Sequence, residues 1–465
     1  MHRRLARSIG GVALALALGG CSMAPAYTRP PSPAPPAFPR SEAAPGTPLA
    51  TDVPWQDYFT DGHLRAVVEQ ALANNRDLRV ATLNIQRAQS QYQVQRAELY
   101  PSVSAGANVS NQRIPDEVVK SGEGYTSTQY TVALGVSGWE LDLFGRIRSL
   151  KAAALEQYLA TEQAAVATRL SLVAAVAQAY LTYAADAENL RLSQSTLEAL
   201  QSSLALIQKS RDVGVASDLE LNQVRSQVEA ARANVARYTG LVAVDLSTLE
   251  VLVGAPVSPG LLPDSLVAVT PPQPISAGLS SEVLLRRPDI RSAEHRLQSA
   301  NANIGAARAA LFPRISLTVG TGISSAELLS LFGGGTGMWS FAPQITIPIF
   351  NSGSLKAKVK ISEVDRDIAV ATYEKGIQQA FAEVSNALTL RQTLVNQRDA
   401  QEALVKALEA TYRLYDARYK AGLDGYLGVL VAQQALIAAQ QTLVNVRLSE
   451  QANLVTLYKV LGGGV

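Results

Sequence analysis

Side chains able to do chemistry are scarce in this chain of 465 residues. Cys21 is its one cysteine, so neither an internal disulfide nor a cysteine-rich metal site can be built. The three histidines are His2, in the N-terminal leader, and His63 and His295, each on a helical stretch with no acid or cysteine at ligand spacing. They read as surface residues, and no metal site is expected. The glycine clusters at 333–337 and 462–464 lack the lysine and the strand-to-helix setting of a phosphate loop. No nucleophile, base and acid fall into a catalytic pattern, so an enzyme is not expected. Lys and Arg number 41 against 39 Asp and Glu, and Arg3, Arg4 and Arg7 belong to the leader. Without them the balance is 38 to 39, which leaves no basic footprint for nucleic acid.

The remaining chemistry is at Cys21. Arg3, Arg4 and Arg7 precede an apolar run from Ile9 to Leu18. That run is too short to span a bilayer, which takes about 20 residues, and reads as an export signal over 1–20. Leu18-Gly19-Gly20-Cys21 resembles the bacterial lipobox. The resemblance implies a cleaved leader and a lipid, palmitate among its chains, on Cys21; Ser22 in place of Asp implies sorting to the outer membrane. Apart from that covalent lipid no cofactor is expected. Residues 25–54 hold ten of the 22 prolines. Proline has no N–H and a fixed φ, so 21–57 reads as an extended, acylated arm leading from the lipid to the body.

What must such residues be mounted on? Hydrophobic residues make up 47%, yet aromatics only 6% and charged residues 17%. Ala, Leu, Val and Gln dominate, which suits long, closely packed helices. The body is an internal repeat. Residues 76–104 align with 288–316 at an offset of 212, pairing Asp77 with Asp289, Arg96 with Arg308 and Pro101 with Pro313. Residues 212–236 align with 420–444 at an offset of 208, pairing Gly214 with Gly422 and Leu219 with Leu427. Repeat 1 is taken as 58–254 and repeat 2 as 276–465, joined by a linker at 255–275 with six prolines.

Each half reads as helix, two strands, very long helix, turn, helix. A first helix is expected over 62–99. Alternation predicts strands at about 102–110 and 128–137, then 314–323 and 340–350, the length a tilted strand needs to cross a bilayer. Tyr100, Trp139, Phe144, Phe312 and Phe350 fall at the strand ends on the helix side, where they could form an interfacial girdle. No proline interrupts about 145–211 or 354–420, so each predicts a helix of about 97 Å at ~1.5 Å per residue. Such helices must pair laterally as coiled coils. Turns are expected at 211–218 and 420–426. Four strands cannot close a membrane barrel, and open edges in lipid cost several kcal/mol per unpaired group. Two copies would give a barrel filled by side chains; three give twelve strands and a water-filled bore.

The stretches SGWELDLFGRIRS (137–149), LLRRPDIRSAEHRLQSANANIGAARAALFPRISL (284–317) and YKAGLDGYLGVLVAQQALIAAQQTLVNVRLSEQANLVTLYKVLGGG (419–464) resemble the outer membrane factors, the TolC-like ducts, and within them the acylated OprM/NodT branch. The resemblance covers essentially the whole mature chain. It implies a membrane α+β fold: a homotrimeric 12-stranded β-barrel continued by a periplasmic α-helical coiled-coil barrel, with a belt built from residues near 58–62, 255–280 and the C-terminal segment. It implies a duct in the outer membrane of a Gram-negative bacterium, passively conducting drugs or other small molecules. The implied partners are a periplasmic adaptor (membrane fusion) protein and an inner-membrane pump of the resistance-nodulation-division type. A type I secretion channel and a non-conducting coiled-coil lipoprotein are the alternatives. By position Glu220 and Tyr419 match gate residues, with Arg418, Asp424 and Arg211 beside them. Gly214, Val215, Ala216, Ser217, Gly422, Leu423, Gly425 and Tyr426 match the adaptor-contacting tips. Gly428 and Val431 stand where some relatives carry aspartates, so block by divalent cations is expected to be weak.

Overall fold

The computed structural model describes residues 22–39, 48–118, 122–276, 278 and 280–464; the leader and Cys21 lie outside the described residues. A single turn of helix α1 (Trp55–Tyr58) leads into α2 (Gly62–Asn74) and α3 (Arg76–Ala97). The hairpin β1 (Val103–Ile114) and β2 (Tyr125–Leu141) follows, then α4 (Arg146–Asp212) and α5 (Asp218–Val253). After short 3-10 turns come α6 (Pro288–Ala309), β3 (Arg314–Ser325), β4 (Gly337–Thr346), α7 (Ser354–Lys420) and α8 (Tyr426–Val460). The repeat is strict at the level of elements. α3 and α6 are both 22 residues long and lie 212 positions apart, and α4 and α7 are both 67 residues long and lie 208 apart.

Several expected boundaries are corrected. The helix expected over 62–99 is two helices, broken at Asn75. Its Oδ1 accepts from Leu78 N at 2.8 Å and caps α3, while its Nδ2 donates to the Leu252 carbonyl at 2.8 Å. A residue that serves two helix ends cannot continue either. β1 runs to Ile114 and β2 from Tyr125, because the ladder continues through polar pairs such as Arg113 with Thr126 that side-chain alternation does not mark. Asp116 closes that hairpin by accepting from Gly124 N at 2.6 Å. β4 starts earlier and ends earlier than 340–350, stopping at Thr346 before Pro348, which has no N–H to donate.

The chain divides into two compact units. The first holds the arm up to Pro31 with Asn84–Glu162 and Ser292–Tyr373, so it contains the four strands and the helix segments next to them. The second holds Ser32–Leu83, Gln163–Arg291 and Glu374–Val465. Its core stacks Tyr58 on Tyr458, ring centroids 4.2 Å apart and 9° from parallel. Their hydroxyls donate to the Leu454 and Val53 carbonyls at 2.8 and 2.9 Å, so both buried O–H groups are satisfied. Gln273 N donates to the Tyr58 carbonyl at 2.9 Å and Thr60 Oγ1 to that of Pro271 at 2.8 Å. Residues near 58–62, the linker and the C-terminal segment thus interlock. The arm is extended but it is not a free spacer: between Ala24 and Phe38 it is fixed to elements of the second repeat by hydrogen bonds and packing.

Candidate functional site

The strands form one antiparallel sheet in the order β1-β2-β3-β4, with a free edge on β1 and another on β4. Its register sorts the side chains by face. Val103, Ala105, Ala107 and Val109 lie opposite Val136, Leu134, Val132 and Tyr130. The same face continues through Val319, Leu317 and Ile315 of β3 to Phe341, Pro343 and Ile345 of β4. The other face carries Ser104, Asn108 and Ser110, then Gln129 and Thr131, then Ser316, Thr318, Gly320 and Ser324, then Gln344 and Ser340. One face is suited to lipid and the other to water. With a period of two residues, one slip in register would exchange them.

A slip does occur in β2, and it is the device that keeps the faces apart. Val136 pairs with Val319, but Trp139 pairs with Leu317, so β2 spends one extra residue. Gly138 takes φ +65° at this bulge, and its N–H donates to Thr318 Oγ1 at 3.1 Å. Apolar positions are even-numbered before the bulge and odd-numbered after it, so Trp139 and Leu141 rejoin the apolar face. Trp139 is therefore inside a strand, not after one as expected. Glu140, on the opposite face, is buried and accepts from Arg146 Nε and Nη2 at 2.8 Å each and from Arg314 Nε at 2.5 Å. That carboxylate ties the end of β2 to the starts of α4 and β3. Of the other expected girdle residues, Phe144 stacks on Phe312 at 4.9 Å and 19°. Tyr100 and Phe350 are exposed.

The two helix turns are built alike and locked differently. Each has five residues, 213–217 and 421–425, with a left-handed glycine second, Gly214 (φ +80°) and Gly422 (φ +72°). In the first, Ser217 and Glu220 form a capping box: Ser217 N donates to Glu220 Oε2 at 2.9 Å and Glu220 N to Ser217 Oγ at 3.2 Å. In the second, Gly425 holds the cap position without a side chain. Arg418 closes that turn instead, gripping Asp424 with Nε at 2.5 Å and Nη2 at 3.0 Å. Arg211 pairs with Asp218 at 2.9 Å and with Asp212 at 3.4 Å. Beneath the turns Ile207, Val224, Tyr426 and Val429 form a core on which Tyr419 packs, edge-on to Tyr426 at 4.9 Å. Burial raises the Tyr419 hydroxyl above its ordinary value, and the nearby Glu220 carboxylate raises it further. Val213, Val215, Leu219 and Leu423 remain exposed apolar groups around the turns.

The profile of the family described as outer membrane efflux protein matches residues 67–255 and 279–463. The chain belongs to the outer membrane efflux protein family. The toluene efflux pump outer membrane protein TtgC of Pseudomonas putida is 46% identical over 454 residues, covering 97% of this chain and 94% of that one. A membrane protein crystal structure from Pseudomonas aeruginosa shares the fold with a TM-score of 0.89 and 40% identity, over 96% of this chain and 98% of that one. The open state of the Neisseria gonorrhoeae MtrE outer membrane channel follows at 0.87 and 37%, over 96% and 98%. The resemblance read from the sequence and the TolC-like protomer fold it implied both stand.

Of the residues expected at a gate, Arg418 and Asp424 meet directly. Glu220 and Tyr419 are neighbours, but the carboxylate is occupied by Ser217, and no hydrogen bond joins it to Tyr419 within the chain among the described residues. Gly428 has a physical reason to be glycine: a Cβ there would come within 2.7 Å of the Tyr415 ring. The reading of His295 as partnerless is corrected, since its Nδ1 lies 2.7 Å from Glu156 Oε2 of α4, 139 residues away in sequence. No group of three metal-ligating side chains occurs among the described residues. Sequence reasoning missed Arg287, which is 8% exposed. Its guanidinium donates to the Val460 carbonyl at 2.7 Å, to both oxygens of Asp289 at 3.0 and 2.8 Å, and to Glu383 at 2.9 Å. The Arg-Arg-Pro-Asp run at 286–289 was visible as a motif; the distant partners that bury it were not.

Proposed function

We propose that this chain is the outer membrane exit duct of a tripartite efflux pump. Three copies close a 12-stranded barrel, held at the periplasmic side by a lipid on Cys21. The observation that carries the reading is the two-faced sheet with two free edges. A polar face of Ser, Thr, Gln and Gly has no place against lipid, and an unpaired strand edge has none either. Pairing β4 of one copy with β1 of the next turns the polar face into a water-filled lumen and removes every edge. The long helices then carry the bore into the periplasm as a coiled-coil barrel. Passage through it is passive, and an inner-membrane pump, of the resistance-nodulation-division type, drives and selects. The exposed Val213, Val215, Leu219 and Leu423 around the helix turns offer an apolar docking surface to a periplasmic adaptor. Aromatic solvents of the kind named for TtgC, and other small drugs, are the expected cargo.

The test is single-channel recording of the purified acylated protein in a planar bilayer, together with complementation of a bacterium lacking its own duct. Ion-conducting steps and restored solvent tolerance are expected. A verified trimer that neither conducts nor complements would favour a structural lipoprotein.

A further inference from the structure

The arm that follows Cys21 is laid along α6 in a fixed direction. Arg29 donates from Nε and Nη2 to the two oxygens of Glu294 at 2.8 and 2.9 Å, and Tyr27 adds its hydroxyl at 3.1 Å. Burial, then the Glu294 charge, raises that tyrosine to about 12, so it stays a donor. Further toward the N-terminus, Asn301 Nδ2 donates to the Pro25 carbonyl at 2.8 Å. Ala24 then presses on Gly305, where an added Cβ would come within 2.7 Å of Ala24 N and 2.6 Å of Ser149 Oγ. The arm therefore runs antiparallel to the helix. Five steps of arm, Arg29 to Ala24, match eleven of helix, Glu294 to Gly305. At ~3.3 Å per extended residue and ~1.5 Å per helical residue both are about 16 Å.

Cys21 is three residues beyond Ala24, at most about 10 Å of extended chain. On the helix side the same distance is about seven residues, which leads from Gly305 to Phe312. A cavity of about 290 Å³ lies there. Leu141, Leu143, Phe144, Ala310, Phe312 and Arg314 are among its lining residues, and the stacked Phe144 and Phe312 rings belong to its wall. It adjoins the apolar face of the sheet through Leu141, which pairs with Ile315. Its polar part is furnished by Glu140, Asp142, Arg146 and Arg314; the two acids are held in ion pairs by Arg146, Arg148 and Arg314, and Arg314 is still 59% exposed.

We propose that this cavity seats the root of the chain's own lipid: the Cys21 thioether, its glyceryl group and the first methylenes of the acyl chains. This deepens the reading of Cys21 as acylated and rests on it. The lining matches the occupant in kind. Ester carbonyls only accept hydrogen bonds and Arg314 only donates, while Phe312, Leu143 and Leu141 cover methylenes. The volume is too small for whole acyl chains, which continue along the apolar face into the bilayer. The arm thus acts as a ruler that sets the depth of the anchor at the junction of strands and helices, and Gly305 is the notch that admits it.

The proposal is tested with p-benzoylphenylalanine in place of Phe312 or Leu143, and as a control in place of Phe350. The full-length acylated trimer is irradiated in membranes and the peptide starting at Cys21 is followed by mass spectrometry. Crosslinks from positions 312 and 143 to the lipidated Cys21 peptide, and few from 350, are expected. Gly305→Val should displace Ala24 and cut the yield roughly tenfold by lowering the local concentration of the tethered lipid, with acylation intact. Crosslinks to bulk phospholipid or to other peptides, with an acylated Cys21 peptide present but uncaptured, would overturn the seat alone. An unmodified Cys21 would overturn the anchor reading and the seat with it.

Discussion

Two aspartates in the helical unit show how surroundings set a carboxyl group in opposite senses. Burial alone would push Asp289 up, but the hydrogen bonds and charge of Arg287 outweigh it and hold it below its usual value. A lowered native value means that the stabilisation is present above the unfolded value, about 3.9, and fades as pH falls through the native one. Arg287→Met leaves the Val460 carbonyl and two carboxylates without their donor. A loss of about 2 kcal/mol is expected from the buried, unpaired groups, after discounting the half-exposed acids. Thermal melts should show the gap to wild type at pH 7 and its narrowing only as pH falls below about 4. Arg287→Lys should not rescue it, because an ammonium cannot serve three acceptors in the geometry of the fork. Asp245 is the converse case. Burial, then the charge of Asp186 and a hydrogen bond to it, raise Asp245 to about 6. Here a folded value above the unfolded one costs stability once both acids ionise, a cost absent below about pH 4 and complete above about pH 6. Asp245→Asn should therefore raise the melting temperature at pH 8 and change little at pH 4. The gain is expected to be about 1 kcal/mol or less, because both acids are only partly buried. A larger gain at pH 4 than at pH 8 would reverse the sign of this account.

The elements were legible where the backbone announces itself. Pro101, Pro313, Gly214 and Gly422 mark helix ends in the sequence: the long helices end two residues before the glycines, and α3 and α6 end four residues before the prolines. Alternation revealed which strand residues share a face. It did not reveal the bulge in β2, since Ser137-Gly138 continues the apparent pattern and only the paired register shows the extra residue. Nor did it reveal Asn75, whose cap depends on Leu252 of a helix remote in sequence, or the docking of the arm, whose partners are distant in the chain. The bulge has a sharp consequence. Gly138→Val disfavours the φ of +65° that the bulge needs, and a strand straightened with all its residues kept turns Trp139 toward the polar face and places Glu140 on the apolar one. A carboxylate facing hydrocarbon costs several kcal/mol. The Gly138→Val variant should fail to give a heat-modifiable trimer band on gels. Replacing Gln112, a polar-face residue of β1 at the hairpin end, by Ser should leave that band intact. Normal assembly of Gly138→Val would mean that the faces are not set by this residue.

At the scale of the assembly, closure has to be sought between copies, because a single chain already satisfies its own tip charges. Arg418 grips Asp424, Arg211 grips Asp218, and Glu220 caps its own helix. Reading by position gathers these residues at the tips without giving their partners within the chain: spacing reports neighbourhood, whereas the cap and ion pairs depend on which turn carries a side chain at its cap. The gate we propose uses the free lone pairs of Glu220 and the hydroxyl of Tyr419 across the three-fold axis, a charge-assisted bond made three times. Glu220→Ala would confuse the issue by dismantling the capping box. Glu220→Gln separates the two roles, because glutamine serves at the third position of a capping box but carries no charge. If the bond between copies holds the resting duct closed, Glu220→Gln and Tyr419→Phe should each raise single-channel conductance, and the double variant should add little, since both remove one shared interaction. Conductance unchanged by Glu220→Gln but raised by Glu220→Ala would place closure in the fold of the turn itself. Fully additive increases would show that the two side chains act in separate contacts, and the shared bond would have to be abandoned.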